Sequence, residues 1–355
     1  MNEIIASAVS LTRELVRVPS ESSDAIATPG SAEFGVAAVL QRVCCEHDLD
    51  WHLQEALPDR YNFIVSCSNP GLPKVIFLAH MDTVSAKGMV APFSGELKNG
   101  KVWGRGSCDD KGSLAAILAV LVELKQQKTS LKYDVTLAAT VDEECSMSGS
   151  AVLAKKNPLG WDLCIGMEPT LLQPVYAHRG VYRCRILAIK EAVLPVSEIM
   201  AGLRDFQHVL EQSCHPELGN AVMNSTEILE DDSRHRILVD IRLLPVQSPA
   251  QIHASIVRIV GTRGRVIPLF AGRGIDTDPE TALVKSFQRS LLHNGLDATL
   301  KAVPFATDCS QLQGRGPCMV WGPGNSAQAH QADEFIELRQ LELACQVLAG
   351  FLTTS

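Results

Sequence analysis

Residues 113–144, SLAAILAVLVELKQQKTSLKYDVTLAATVDEE, combine two element types whose order decides the fold. Ser113 to Lys125 is apolar almost without a break and reads as a buried helix. Tyr133 to Thr140 is a short apolar and β-branched run that reads as a strand, and it ends in an acidic cluster. Upstream, Ile4 to Val16 has helical spacing that stops at Val18-Pro19-Ser20. A Gly/Ser/Pro-rich loop at 20–31 leads to a second helix, Glu33 to Cys45, and then to short buried strands at Asn62 to Ser66 and Lys74 to Ala79. Downstream, Cys164 to Gly166 reads as another strand, just before Glu168. Strands alternating with helices predict an α/β fold, with a mixed sheet covered by helices on both faces.

From about Val181 the pattern changes. Strand VYRCRILAIK, helix Ser197 to Ser213, strands Ala221 to Ile228 and Arg236 to Arg242, helix Pro249 to Val260 and strand Val266 to Phe270 make a β-α-β-β-α-β unit. Helix Glu280 to His293 and strand Cys318 to Trp321 then resume the first style. The expected organisation is a catalytic domain in two parts, 1–180 and 273–355, with an α+β, ferredoxin-like domain inserted at 181–272.

The 355 residues suffice for substantial cores, and 46% hydrophobic with 20% charged residues is the composition of an ordinary globular protein. A net charge of −8 argues against a nucleic-acid partner. No basic leader with an apolar core precedes the first helix, and the longest strongly apolar run, Leu114 to Leu124, is far short of the roughly 20 residues that span a bilayer. No membrane association is expected. Eleven cysteines, scattered and including the adjacent Cys44-Cys45, form neither a disulfide framework nor a CxxC zinc site, so reduced thiols in the cytoplasm are expected.

Strand ends in α/β sheets display ligand groups, and several here carry metal-ligand residue types. His80 and Asp82 follow KVIFLA, on the same side of an extended chain. Asp109 follows the turn Gly104-Arg105-Gly106-Ser107; Glu143 and Glu144 follow TLAATVD; Glu168 follows CIGM; His330 follows Gly322-Pro323-Gly324. Taken singly, each is an ordinary surface or core residue. Together, so many carboxylates would raise one another's pKa values unless cations neutralised them, and His with Asp and Glu suits zinc.

With these residues in view, the chain resembles the zinc-dependent amidohydrolases and exopeptidases that include acetylornithine deacetylase, succinyl-diaminopimelate desuccinylase and the aminoacylases. The matching segments are AHMDTV (79–84), GRGSCDDKG (104–112), DEE (142–144), GMEPT (166–170) and WGPGNSAQAHQADEFIEL (321–338), in the family's order. The last, with YAHRG (176–180), is most similar to the acetylornithine and acetylcitrulline deacetylase branch. The resemblance implies a zinc-exopeptidase-like catalytic domain with a lid, and two divalent ions per chain, zinc or alternatively cobalt. It implies that His80 and Glu168 bind one ion, Glu144 and His330 the other, and that Asp109 bridges them. Asp82 and Glu143 would be catalytic: the Asp82 carboxylate would accept the other ring N–H of His80, and Glu143 would be the general base. A cis peptide bond at Asp109-Asp110 is also implied, although Asp110 stands where the family is usually apolar. Arg242 in VDIRLLP would hold a substrate carboxylate, although it reads equally as a surface charge, and Thr307 in PFATDC would be a further substrate contact. Lys111, Arg105 and Arg179 read as structural or surface residues. The implied function is removal of an acyl group from a small N-acyl-L-amino acid, as in arginine biosynthesis.

Two family features are missing. A lid-domain histidine that reaches a partner's active site and stabilises the oxyanion is replaced near Val193 or Leu194 in AIKEAVLPVSE (188–198). The asparagine of an NxxP-like segment has no counterpart in ILEDDSRHRILVDIR (228–242). The shortened lid also puts the usual homodimer in question. Three readings follow: an active deacylase with a replacement donor such as His178, His208 or His235; a metal-binding relative with weak or altered catalysis; or a dipeptidase or carboxypeptidase of the same family. Intact metal ligands count against a fourth, a metal-free interaction module.

Overall fold

A computed structural model describes residues 2–22, 33–188, 193–231, 234–312 and 314–353, with only the backbone described for residues 2, 193–195, 227–231 and 234–235. The chain forms two compact units, one of residues 1–176, 277–300 and 307–355, the other of residues 177–276 and 301–306. The segment 301–306 thus groups with the smaller unit, whereas the sequence reading placed it in the second catalytic part.

The larger unit begins with α1 (Asn2–Val16) and α2 (Phe34–Glu46), followed by β1 (Asp50–Leu57), β2 (Arg60–Cys67) and β3 (Lys74–His80). Next come the short strands β4 (Glu96–Lys98) and β5 (Lys101–Trp103), α3 (Lys111–Gln126), β6 (Asp134–Thr140), α4 (Ser148–Lys156), β7 (Leu163–Gly166) and the start of β8 (Val175–His178). The smaller unit contains β9 (Gly180–Ala188), α5 (Val193–Leu210), β10 (Cys214–His215), β11 (Gly219–Asn220), β12 (Val222–Asp231), β13 (Arg234–Leu243), α6 (Pro249–Val260), β14 (Gly264–Gly272) and β15 (Ile275–Asp276). After it come α7 (Ala282–His293), β16 (Lys301–Val303), the 3-10 turn Asp308–Gln311, β17 (Cys318–Val320), β18 (Phe335–Glu337) and α8 (Leu338–Leu352).

In the larger unit the strands run in the order β1-β2-β6-β3-β7-β17. β1, β2 and β6 pair antiparallel, whereas β6, β3, β7 and β17 are parallel, so the sheet is mixed. Val75, Phe77 and Ala79 of β3 pack with α1, α3, α7 and α8 in one apolar cluster, while the alternate residues Ile76 and Leu78 are buried as well. A strand buried on both faces needs a continuous apolar run rather than alternation, which is why VIFLA (75–79), after the exposed Lys74, carries no polar residue. Helix α3 is buried from Lys111 through Val122, consistent with its all-round hydrophobicity.

Register sets the position of everything that follows the parallel strands. His80 lies opposite Thr140, Leu78 opposite Gly166, and Gly166 opposite Val320. The segments after β3, β6, β7 and β17 therefore leave the sheet at the same edge.

Strand β1 escaped the sequence reading because it is an edge strand with no fully buried residue and rich in polar residues (DWHLQEAL). Helices α4 and α8, and the small sheet β18-β5-β4, were also not anticipated. The smaller unit has the antiparallel order β12-β13-β9-β14, with α6 against β9 and β14. Its β9-α5-β12-β13-α6-β14 sequence is the ferredoxin-like arrangement. No helix among the described residues is long and apolar enough to cross a membrane.

Candidate metal centre

The shared sheet edge brings most of the expected ligands together. His80 is the last residue of β3 and is 2% exposed. Its Nε2 lies 2.9 Å from Asp109 Oδ1. His330 Nε2 lies 3.4 Å from Asp109 Oδ2 and 3.1 Å from Glu144 Oε2. Asp109 thus faces a histidine with each carboxylate oxygen. Donor atoms of His80, Asp109 and Glu144 lie within 4.8 Å of one another, a grouping that can hold a metal ion. His330 adopts a positive φ of 65° in the loop after β17. Glu143 and Glu168 join the same electrostatic neighbourhood, each acting on the other or on His80 and Asp109.

The electrostatics are those of crowded acids around two imidazoles. Burial and then Glu168 push the Glu143 carboxyl well above the ordinary range. Burial and then Asp109 do the same to Glu168. Hydrogen bonding to Asp109 and Glu144 raises His330 to about 10. His80 is raised by its partners Asp109 and Asp82, against the opposing effect of burial. Like charges held this close repel unless a cation lies among them, and mixed nitrogen and carboxylate donors are the set that zinc-like ions take. The residues fit such an ion.

Asp82 is fully buried, but its contacts differ from expectation. The nearest acceptor for His80 Nδ1 is the Asp82 backbone carbonyl at 2.9 Å, and the Asp82 carboxylate is farther, at 3.5 Å. That carboxylate instead accepts the backbone N–H of Glu143 (3.1 Å) and of Glu144 (3.2 Å), and the hydroxyl of Ser22 (2.6 Å). Asp82 therefore ties the end of β3 to the loop that carries Glu143 and Glu144. The Asp109-Asp110 bond is cis, as the resemblance implied.

Glu334 was quoted within the matched segment but given no role by the sequence reading. It is 1% exposed, and its carboxylate accepts backbone N–H groups from Gly106 (3.0 Å), Cys108 (2.9 Å) and Asp109 (3.1 Å) and pairs with Arg105 at 2.6 Å. It fixes the loop that presents Asp109. No local signal separates it from its exposed neighbour Asp333; only the distant loop does. Asp308, also unanticipated, is buried and accepts hydroxyls from Thr140 and Ser150, both at 2.6 Å. Burial pushes its carboxyl up to about 7.

The expected substrate contacts are placed less directly. Thr307 is buried in the larger unit, where its hydroxyl accepts the Cys309 N–H at 3.3 Å. Arg242 lies on β13 of the smaller unit, its Nε 2.9 Å from Asp240. Lys111 and Arg105 are buried rather than on the surface: Lys111 Nζ donates to the Val18 carbonyl at 2.7 Å, and burial lowers its pKa to about 7. Arg179 holds the carbonyls of Asn220 and Leu218. Of the proposed replacement donors, His178 is buried with Nδ1 2.9 Å from the Arg179 carbonyl, and His208 is exposed beside Glu211. Residues 189–192 and 232–233 and the side chains of Val193, Leu194 and His235 lie outside the described residues.

The chain is 26% identical over 348 residues to acetylornithine deacetylase of Klebsiella pneumoniae (strain 342), covering 86% of this chain and 88% of that protein. Among solved structures it is similar to the M20 family metallo-carboxypeptidase Sso-CP2 from Sulfolobus solfataricus, with a TM-score of 0.77 at 16% identity, covering 97% of this chain and 98% of that one. The Bacillus subtilis YXEP protein, a dinuclear metal binding peptidase, matches with a TM-score of 0.70 at 15% identity, covering 99% of this chain and 98% of that one. The sequence profile of peptidase family M20/M25/M40 matches residues 76–354, the span from β3 to the C-terminus that contains the whole acid and histidine cluster. This chain belongs to that family of hydrolases.

Proposed function

We propose that the protein is a two-metal amide hydrolase that removes the acyl group from a small N-acyl-L-amino acid. The observation that carries the reading is the meeting of His80, Asp109, Glu144 and His330 at one edge of the sheet, with Asp109 between the two histidines. His80 and Glu168 would hold one divalent ion and Glu144 and His330 the other, with Asp109 shared; zinc is the favoured ion and cobalt the alternative. When bound, such ions lower the pKa of water and polarise an amide carbonyl. Glu143 would take the proton of the attacking water and pass it to the leaving nitrogen. Asp82 would hold Glu143 in place through the backbone, because its carboxylate binds the N–H groups of Glu143 and Glu144. Arg242 would hold the substrate carboxylate with its planar fork, and Thr307 would be a further substrate contact.

Similarity to an acetylornithine deacetylase over most of both chains supports N-acyl amino acids as the substrates and arginine biosynthesis as the setting. Similarity to a metallo-carboxypeptidase keeps a second reading, cleavage of a dipeptide or of a C-terminal residue by the same site. The two are separated by assaying N-acetylornithine and other N-acyl amino acids beside dipeptides, with zinc or cobalt added. Turnover of dipeptides alone would replace the first reading with the second. Absence of turnover on both, with metal bound, would leave a metal-binding relative without this chemistry.

A further inference from the structure

Three cysteine thiols converge in the larger unit on residues outside the histidine and carboxylate cluster. Cys164 is on β7, Cys318 on β17 and Cys309 in the turn Asp308–Gln311. Their sulfurs all lie within 4.8 Å of one another. Cys164 and Cys318 are direct partners across the parallel strand pair, and the Cys309 and Cys318 thiols donate to the carbonyls of Met319 (3.9 Å) and Gly316 (3.7 Å). None is more than 3% exposed. The Cys309 sulfur packs over Gly166, where an added Cβ would come within 2.7 Å of it, so the glycine leaves the space that the thiol occupies.

Core packing accounts for a buried cysteine as a small apolar side chain. It does not require three separate segments to aim their sulfurs at one point. Three sulfurs at ~2.3 Å from a central ion in one plane are ~4 Å apart, which is within the observed spread. A structural zinc almost always takes four ligands, and the adjacent carboxylate, Asp308, is already engaged by Thr140 and Ser150. An all-sulfur, three-coordinate, buried set suits a softer ion, because thiolates select cuprous ion.

We infer that Cys164, Cys309 and Cys318 form a second, thiophilic metal site that takes one cuprous ion. Loading changes no oxidation state and releases one proton for each thiol that binds as thiolate. The ion would cross-link β7, β17 and the 3-10 turn, so loading also raises the melting temperature by binding only the folded state.

The test uses the full chain with the exposed Cys45 and Cys214 replaced by serine, fully reduced and without oxygen. Cuprous ion is titrated in competition with a chromogenic chelator, and X-ray absorption then counts the ligand atoms. One ion per chain, three sulfur neighbours and at least a tenfold loss of affinity in Cys309→Ala are expected, with zinc content unchanged. Cys318→Ala should give the same loss. Undiminished binding in both alanine variants overturns the proposal. Should either variant fail to fold, the absorption spectrum of the parent decides: two-sulfur or mixed oxygen and nitrogen coordination, or no uptake, sinks the site.

Discussion

Glu334→Ala offers the sharpest test of how the Asp109 loop is held. The Glu334 carboxylate is 1% exposed, accepts three backbone N–H groups and pairs with Arg105, which is itself 3% exposed. Removing it strands a buried guanidinium, and breaking a buried ion pair from one side costs about 3–5 kcal/mol. Three buried N–H groups lose their acceptor as well, so the upper part of that range applies. For a unit of this size each kcal/mol is worth roughly 2–4 °C, so the melting temperature should fall by roughly 8–20 °C. Arg105→Ala should cost less, because Glu334 keeps its three N–H donors. Adding Arg105→Ala to Glu334→Ala should cost less than the two single changes summed, because the stranded charge is then gone. Calorimetry of the three variants reads this directly, and metal affinity should fall with Glu334→Ala because the Asp109 N–H is released. A Glu334→Ala protein that melts within about 2 °C of wild type would refute the reasoning, since no buried charge could then have been stranded.

Other predictions concern the site and the core. Glu143→Gln should lower kcat by about 10²–10⁴ with metal content intact, because the amide cannot accept the proton; His80→Ala should lose metal by elemental analysis. Asp82→Ala should loosen the Glu143 and Glu144 loop, and faster amide exchange at those two N–H groups would show it, whereas unchanged exchange would not fit the contacts. Of the adjacent pair, Cys45 is exposed while burial pushes Cys44 up to about 12, so alkylation of the native protein should label Cys45 and spare Cys44. If the lid-domain donor is truly replaced at Val193, specific activity should be independent of dilution, and a collapse of activity on dimer dissociation would show that a partner residue completes the site.

Much of this architecture was legible in the linear chain, for physical reasons. A strand buried on both faces needs an unbroken apolar run, so VIFLA (75–79) and LAA (137–139) announce themselves, and the polar residues that follow mark the sheet edge. The identities of His80, Asp109, Glu144, Glu168 and His330 come from the motifs they close. What the sequence could not decide is which of them meet. That depends on register: His80 faces Thr140, and Leu78 faces Gly166, because four parallel strands end level. The edge strand β1 was hidden because solvent on its exposed side removes the pattern that reports burial. Glu334, Asp308 and the three converging cysteines were hidden for another reason. Each owes its role to groups far away in sequence: Glu334 to a loop more than two hundred residues earlier, Asp308 to Thr140 and Ser150, and Cys309 to strands on either side of it. Local chemistry is written in the sequence; the partners of a buried polar group are chosen only when the chain folds around it.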